Sequence, residues 1–108
     1  MTKPDSVLLE SVTRRIVLAV HPLRIILFGS AAREEMGPNS DLDLLVIMPN
    51  GVHRRQTARR VYRALRGMGI SKDIIVATEQ DLLDYGREPS LIIAPALAEG
   101  KELYHAPQ

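Results

Sequence analysis

The chain has 108 residues, of which 45% are hydrophobic and 25% are charged, and its formal net charge is +1. This composition is that of a globular protein and not of a disordered one, and the balanced charge gives no general argument for nucleic acid or a membrane surface as a partner. The absence of cysteine excludes disulfides, thiolate catalysis and zinc sites with cysteine ligands.

Hydrophobic periodicity and turn residues predict alternating helices and strands. The first half of the chain predicts a helix to about residue 20 capped by Asp5 or Ser6, a strand over 23–28, one or two helical turns after Gly29, a loop over 36–40 and a strand over 41–48. The second half predicts a helix over about 52–67, a strand over 72–78 and a helix over 79–86 capped by Thr78. A helical piece over 90–100, interrupted at Pro95, and an edge strand over 101–105 complete the predicted elements. The second strand is apolar on both faces after Asp43, which is typical of a central strand. The pattern predicts a small α/β or α+β domain with a buried sheet.

The length fits a single domain over residues 1–108. No apolar stretch reaches the ~20 residues that are needed to span a bilayer. The N-terminus also lacks the basic-then-apolar layout of a signal peptide. We therefore expect a cytoplasmic protein without a membrane partner.

Two carboxylates, Asp41 and Asp43, stand at the head of the apolar second strand. Side chains alternate along a strand, so residues two positions apart point to the same face. Two like charges held close together repel each other and are costly to desolvate, and a divalent cation removes that cost. Carboxylate oxygens suit Mg²⁺ or Mn²⁺. Aspartates in this spacing also occur as caps or solvated charges, so the pair alone leaves both interpretations open.

A Gly-Ser pair, Gly29 and Ser30, follows the first predicted strand and precedes a helical turn. Such a turn presents backbone N–H groups and a hydroxyl that attract phosphate oxygens, and glycine lets a phosphate approach the backbone. Arg33 would add a charge-assisted contact to phosphate. The alternatives are an ordinary turn and a solvated arginine.

A third carboxylate, Asp73, heads the apolar strand that is predicted over residues 72–78. Because Asp43 also stands at the head of an apolar strand, we expect the two at the same end of the sheet. The alternative role of Asp73 is a strand-end charge paired with a basic neighbour. The other candidate carboxylates fall on a predicted helix and are expected to face water: Glu79, Asp81 and Asp84.

The ordered motifs LFGSAAR, SDLDLLV and KDIIV, with ten residues between the Gly-Ser pair and the first aspartate, resemble the signature of the minimal nucleotidyltransferases in the DNA polymerase beta superfamily. The resemblance implies a mixed β-sheet flanked by helices. It also implies that Gly29 and Ser30 hold the triphosphate of ATP, and that Asp41 and Asp43 bind two Mg²⁺ ions. Asp73 would bind one of these ions and help to activate the attacking hydroxyl. The implied reaction transfers a nucleoside monophosphate to that hydroxyl and releases pyrophosphate.

The chemistry of this reaction agrees with the residues present. Attack on a polyanionic phosphate requires charge neutralisation and in-line positioning more than a strong protein nucleophile, so three aspartates are sufficient. The chain departs from many relatives at Glu34 and Glu35, where those relatives have glycine after the arginine of the turn, and we expect both to face solvent. The histidines are not clustered in sequence and are expected to be structural or solvated: His21, His53 and His105.

The acceptor of the nucleotide is expected on another protein. Larger members of the superfamily carry a second, helical domain that binds the acceptor, and this chain is too short to include one. The resemblance points to a HEPN-type helical RNase toxin, with this protein as an antitoxin that adds AMP to a tyrosine of the toxin. A homo-oligomer remains an open alternative for the assembly.

Three other functions stay open at this stage. The first is a non-catalytic antitoxin that blocks its partner sterically, and the second is a small-molecule nucleotidyltransferase of the antibiotic-modifying kind. The third is a nucleic-acid-binding module, which rests on six arginines in the helix predicted over residues 52–67. Because aromatic residues for base stacking are nearly absent there, we expect a solvated helix face and no nucleic-acid partner. The arginines are Arg54, Arg55, Arg59, Arg60, Arg63 and Arg66.

Overall fold

The computed structural model describes residues 6–32, 41–85 and 93–107. Within these residues, helices and strands alternate in the order α1 (Ser6–Val20), β1 (Arg24–Phe28), α2 (Gly29–Ala32), β2 (Leu42–Met48), α3 (Arg54–Ala64), β3 (Lys72–Thr78), α4 (Glu79–Tyr85), α5 (Ile93–Glu99) and β4 (Lys101–His105). The strands form one sheet in the order β3-β2-β1-β4. β2 and β3 are parallel, whereas β1 is antiparallel to both β2 and β4. The sheet is therefore mixed, as predicted, and β4 is an edge strand.

The sheet separates two hydrophobic clusters. On one face, α1 and α3 pack on side chains that include Leu44 and Val46 of β2. On the other face, α4 and α5 pack on side chains that include Leu45 and Ile47. Each of these four side chains is at most 1% exposed, which confirms the prediction that β2 is a central strand. Alternate positions of β1, β2 and β3 thus belong to the α1/α3 face and to the α4/α5 face.

The direction of β1 determines which strand ends meet. Because β1 is antiparallel to β2, its carboxyl end lies beside the amino end of β2, and Phe28 is paired with Asp43. Because β3 is parallel to β2, its amino end lies at the same edge, and Asp43 is paired with Asp73. The turn after β1 and the heads of β2 and β3 therefore share one end of the sheet.

Helix α1 presents an apolar stripe to the sheet. Val12, Ile16 and Val20 recur at intervals of four residues and are buried, which places them on one side of the helix. The helix ends where predicted, since His21 has a φ of 51° and its N–H donates to the carbonyl oxygen of Val17 at 3.0 Å. Pro22 follows. The alternative start at Asp5 lies outside the described residues.

Helix α3 is shorter than predicted at both ends. It begins at Arg54, where Nδ1 of His53 accepts the N–H of Gln56 at 3.2 Å and so caps the helix. It ends at Ala64, and Gly67 then adopts a φ of 83°. This left-handed conformation directs the backbone away from the helix and is accessible to glycine without steric cost.

The helix α5 continues through Pro95, contrary to the prediction of an interruption there. Pro95 is the third residue of α5, and backbone N–H groups in the first turn have no acceptor within the helix. A proline in that turn therefore removes no helical hydrogen bond. In the part of the chain that the structure describes, no helix combines the length and the apolar character needed to cross a membrane.

Candidate active site

Asp43 and Asp73 lie side by side on adjacent parallel strands. They are register partners in the β2–β3 pair, and neighbouring strands of a sheet are about 4.8 Å apart. Asp43 belongs to the same alternating set as Leu45, and Asp73 to the same set as Ala77, so both carboxylates are on the α4/α5 face. Asp43 is half-buried and Asp73 is exposed. The expectation that both stand at the same end of the sheet is confirmed.

Gly29 approaches the Asp43 carboxylate closely. It is the first residue of α2 and has a φ of 70°. A β-carbon built at Gly29 would overlap Oδ2 of Asp43 and would lie 3.2 Å from Cγ of the same side chain. The glycine therefore makes room for the carboxylate at the end of β1, and the turn after β1 reaches the aspartate pair.

Asp41 lies at the same end of the sheet but is less closely held. It precedes the first residue of β2 and is exposed. The strand beyond it is fixed by the Leu42 N–H, which donates to the carbonyl oxygen of Ser71 at 2.9 Å. Among the described residues, no three Asp, Glu, His or Cys side chains are close enough to hold a metal ion together. Asp43 and Asp73 are thus neighbours in the structure, but Asp41 does not form a metal-binding cluster with them.

The remaining predicted site residues are described in part. Ser30 is the second residue of α2, and its side chain lies outside the described part of the structure. Arg33 lies outside it altogether, as do Glu34, Glu35 and the loop predicted over 36–40.

The chemistry of the donor set at this end of the sheet fits a divalent cation. Two neighbouring carboxylates offer hard oxygen ligands, and Mg²⁺ commonly binds through one or two carboxylates together with substrate phosphates and water. Gly29 has no side chain at the position that the Asp43 carboxylate occupies. The donor chemistry of the two carboxylates is therefore compatible with Mg²⁺ or Mn²⁺.

Tyr62 contributes an unpredicted contact next to the aspartate pair. Its hydroxyl oxygen accepts the backbone N–H of Ile74, which follows Asp73, at 3.0 Å. Strand β3 is at the edge of the sheet, so this hydroxyl satisfies a strand N–H that has no neighbouring strand. Tyr62 is 38% exposed, and the tendency of a tyrosine hydroxyl to find a hydrogen-bond partner in the protein was the signal available in the sequence.

Asp81 does not face water as expected. Its side chain is 12% exposed and accepts two hydrogen bonds from Arg54, from Nε to Oδ2 at 2.8 Å and from Nη2 to Oδ1 at 2.7 Å. It also accepts the N–H of Thr78 at 2.9 Å, while the Thr78 hydroxyl accepts the N–H of Asp81 at 3.2 Å. The hydrogen bond from Arg54, together with those from Thr78, lowers the pKa of Asp81 against the opposing effect of burial.

This arrangement corrects one prediction and confirms another. The reciprocal bonds between residues 78 and 81 form a capping box, which confirms Thr78 as the cap of α4. The Thr-x-x-Asp spacing was visible in the sequence, but the partnership with Arg54 on α3 was not. Glu79 and Asp84 are exposed, as predicted.

A groove of about 400 Å³ lies elsewhere on the described surface, between α1 and β4. It is lined mainly by apolar side chains such as Leu9, Val17 and Leu103. These belong to the α1/α3 side of the sheet, whereas the aspartate pair is on the α4/α5 side. The groove is therefore not part of the candidate active site.

Most of the chain is similar to known proteins. A family model described as a nucleotidyltransferase domain matches residues 8–98. Among solved structures, a protein from Sulfolobus solfataricus described as a nucleotidyltransferase superposes with a TM-score of 0.53 at 24% identity, over 70% of this chain and 69% of that one. A toxin-antitoxin structure with AMP-PNP superposes with a TM-score of 0.60 at 18% identity, over 91% of this chain and 73% of that one. No curated protein gives a significant match.

The two superpositions support the mixed, helix-flanked fold, and the family model extends over most of the chain. Its match includes the turn after β1, both strands that carry the paired aspartates, and the helices between them. The protein therefore belongs to the family of nucleotidyltransferase domains, as the ordered Gly-Ser and Asp-Leu-Asp motifs predict.

Proposed function

We propose that this protein transfers AMP from ATP to a protein hydroxyl in a Mg²⁺-dependent reaction. The observation that carries the proposal is the register pairing of Asp43 with Asp73 on one face of the sheet, with Gly29 directly beside Asp43. Two carboxylates at a single sheet edge would supply oxygen ligands for a metal-bound triphosphate, and the turn after β1 stands beside them.

The proposed roles follow from position. Asp43, half-buried and beside Gly29, is the central metal ligand, and Asp41 and Asp73 complete the ligand set when the substrate is bound. Two bound Mg²⁺ ions would neutralise the phosphates and stabilise the entering and leaving oxygens. The turn that begins at Gly29 would contact the triphosphate, and the sequence motif adds Ser30 and Arg33 as further contacts. Exposed Asp73 faces solvent, from which an acceptor would approach.

The proposed reaction is an in-line substitution at the α-phosphorus of ATP. The acceptor hydroxyl oxygen forms a bond to this phosphorus while the bond to the bridging oxygen of the β-phosphate breaks, and pyrophosphate leaves. The hydroxyl proton passes to a carboxylate, for which Asp73 is the candidate, and then to solvent. Positioning and charge neutralisation provide most of the rate enhancement in such reactions.

We further propose that the acceptor is a tyrosine of a HEPN-type helical toxin, which makes this protein an antitoxin. The support is the similarity of fold to a protein whose structure is described as a toxin-antitoxin with AMP-PNP, together with the family resemblance of the motifs. Retention of the aspartate pair and of Gly29 favours a catalytic antitoxin over one that acts by steric blocking alone.

The decisive experiment combines the protein, Mg-ATP and a candidate HEPN-type toxin, and measures intact masses. We expect the partner to gain the mass of one or more adenylyl groups. The Asp41→Asn/Asp43→Asn double variant should abolish the gain, whereas Asp84→Asn, which removes an exposed carboxylate elsewhere, should retain it. Transfer by the double variant would place the site elsewhere, and inhibition of the toxin without any mass gain would favour the steric antitoxin.

Metal binding can be measured separately from nucleotide transfer. Addition of Mg²⁺ to the protein without ATP should raise the melting temperature, because a ligand of the folded state stabilises it by mass action. The increase should be smaller for Asp43→Asn and unchanged for Asp84→Asn. Equal increases for all three proteins would show that the aspartate pair does not bind the ion.

A further inference from the structure

A row of arginines covers the outer face of α3. Arg55, Arg59 and Arg63 are spaced by four residues on α3, Arg66 follows in the turn after the helix, and Arg60 lies beside the row. We call these five residues the arginine stripe. All five side chains are exposed. With a rise of 1.5 Å per residue, the part of the row within α3, from Arg55 to Arg63, is about 12 Å long, and its successive members are about 6 Å apart.

The arginine stripe has no counter-charge within the described residues. None of its five side chains forms an ion pair or a side-chain hydrogen bond there, unlike Arg54, which is bound to Asp81. The sequence explains this, because no Asp or Glu occurs between Asp43 and Asp73, although that segment contains seven of the fourteen Lys and Arg residues. Although the net charge of the chain is +1, the segment that contains α3 is strongly basic and the rest of the chain is acidic.

A solvated helix face does not account well for this arrangement. Like charges at i and i+4 destabilise a helix by about 0.2–0.5 kcal/mol per pair, and solvent-exposed helices usually alternate charges of both signs. Here the helix is stabilised from outside. Arg54 binds Asp81 at its amino end, and Nη1 of Arg15 donates to the carbonyl oxygens of Ala64 and Arg66 at 3.3 Å at its carboxyl end. An anionic ligand would relieve the repulsion that remains.

The composition of the stripe distinguishes between two kinds of anionic partner. A protein partner usually requires apolar and aromatic residues at the centre of the interface, and the exposed face of α3 offers Tyr62 alone among large apolar side chains of the described helix. Nucleic-acid interfaces are much more positively charged, and the guanidinium group suits phosphate through paired hydrogen bonds. Single strands also need several aromatic surfaces for stacking, so a duplex fits the stripe better.

We propose that the arginine stripe binds the phosphate backbone of double-stranded nucleic acid without sequence preference. The part of the row within α3 spans about three to four base pairs at 3.4 Å per pair. It is on α3, which packs on the opposite face of the sheet from Asp43 and Asp73, so it is separate from the candidate active site. This inference differs from the expectation from sequence, which counted the six arginines without knowing that five of them have no acidic partner among residues 6–32, 41–85 and 93–107.

Fluorescence anisotropy with labelled duplexes of about 20 base pairs tests the proposal, with RNA and DNA as separate arms. With five phosphate contacts, a plot of log Kd against log salt concentration should have a slope of about 4 to 5. The Arg55→Gln/Arg59→Gln variant should lower this slope by about 2 and weaken binding at low salt about tenfold or more, equally for different duplex sequences. The Arg55→Lys/Arg59→Lys variant, which keeps the charge, should retain most of the slope.

The matched control is Arg14→Gln/Lys101→Gln, which removes the same charge from exposed positions on α1 and β4 and should leave the slope unchanged. If the stripe variant and the control variant weaken duplex binding equally, the effect is due to net charge alone and the proposal is overturned. The absence of duplex binding at about 50 mM salt, or binding of polyglutamate as tight as that of a duplex, would also overturn it. The readout does not depend on nucleotide transfer, so an inactive transferase would leave this test intact.

Discussion

Gly29 and Asp43 are packed so closely that the Asp43 carboxylate occupies the position of a side chain at Gly29. The two residues are on different elements, α2 and β2, and come together because Phe28 at the end of β1 pairs with Asp43. Gly29 also has a φ of 70°, in the left-handed region that other residues rarely adopt. Backbone conformation and available space therefore both require glycine here.

The substitution Gly29→Ala should impair the site more than the fold. We expect a loss of stability of about 1–3 kcal/mol from the backbone conformation and the overlap, and a fall in transfer activity of about 100-fold, because small displacements of reacting groups are costly. Urea denaturation and initial rates measure the two effects. Gly51→Ala is a matched control, since Gly51 has a φ of 93° but nothing within 4 Å of the added carbon. It should lose stability and keep its activity, and equal losses of activity in both variants would contradict a role for Gly29 at the site.

The substitution Asp73→Asn should abolish activity without unfolding the protein. Asp73 is exposed at the head of an edge strand, and exposed substitutions usually change stability by less than about 0.5 kcal/mol. The proposed role as metal ligand and proton acceptor predicts a fall in rate of about 100-fold or more. Parallel measurement of thermal unfolding and of transfer separates the two effects. A variant that unfolds readily but keeps its activity per folded molecule would make Asp73 a structural residue.

Asp81 should make stability depend on acid pH. Its pKa is below the ordinary value of 3.8, first because of the hydrogen bond from Arg54, so the ionised form stabilises the folded state. This contribution is present above about pH 4 and is lost as the pH falls through the lower pKa of the folded protein. At neutral pH, Asp81→Asn should cost about 1–3 kcal/mol, and the difference from the unsubstituted protein should shrink below pH 4. Urea denaturation across this range tests it, and Asp84→Asn, on the same helix but exposed, should show no such trend.

The Tyr62 hydroxyl should stabilise the strand that carries Asp73. Tyr62→Phe removes the acceptor of the Ile74 N–H and keeps the ring, so the expected cost is about 1 kcal/mol. Hydrogen exchange should become faster at Ile74 and remain unchanged in β1, which is on the other side of β2. A uniform change in exchange across the sheet would instead indicate global destabilisation.

The sequence predicted much of the fold because its strands are short, apolar and bounded by turns. β3 was predicted over 72–78 and β4 over 101–105, as observed. The ends of α3 were less accurate, since its cap is the Nδ1 atom of His53, and histidine is an uncommon cap. Pro95 was read as a break because its position within the first turn depends on where α5 begins.

The candidate site was predicted only as far as local pattern allows. Asp43 and Asp73 each head an apolar strand, which was visible in the sequence, but their pairing required the parallel register of β2 and β3. The ion pair between Arg54 and Asp81 joins residues 27 positions apart, and no local pattern specifies such a partner. Likewise, only the structure shows that the arginine stripe has no acidic partner in the described part of the chain.

The register of β2 links correct folding to correct catalytic geometry. A slip of one residue would exchange the two faces of the strand, so that Asp43 would enter the cluster under α1 and α3 while Leu44 would leave it. An uncompensated buried carboxylate makes that alternative strongly unfavourable. Chains with a misaligned β2 should therefore be too unstable to remain folded. As a result, the folded fraction of a sample should equal the fraction of molecules in which Asp43 and Asp73 are adjacent.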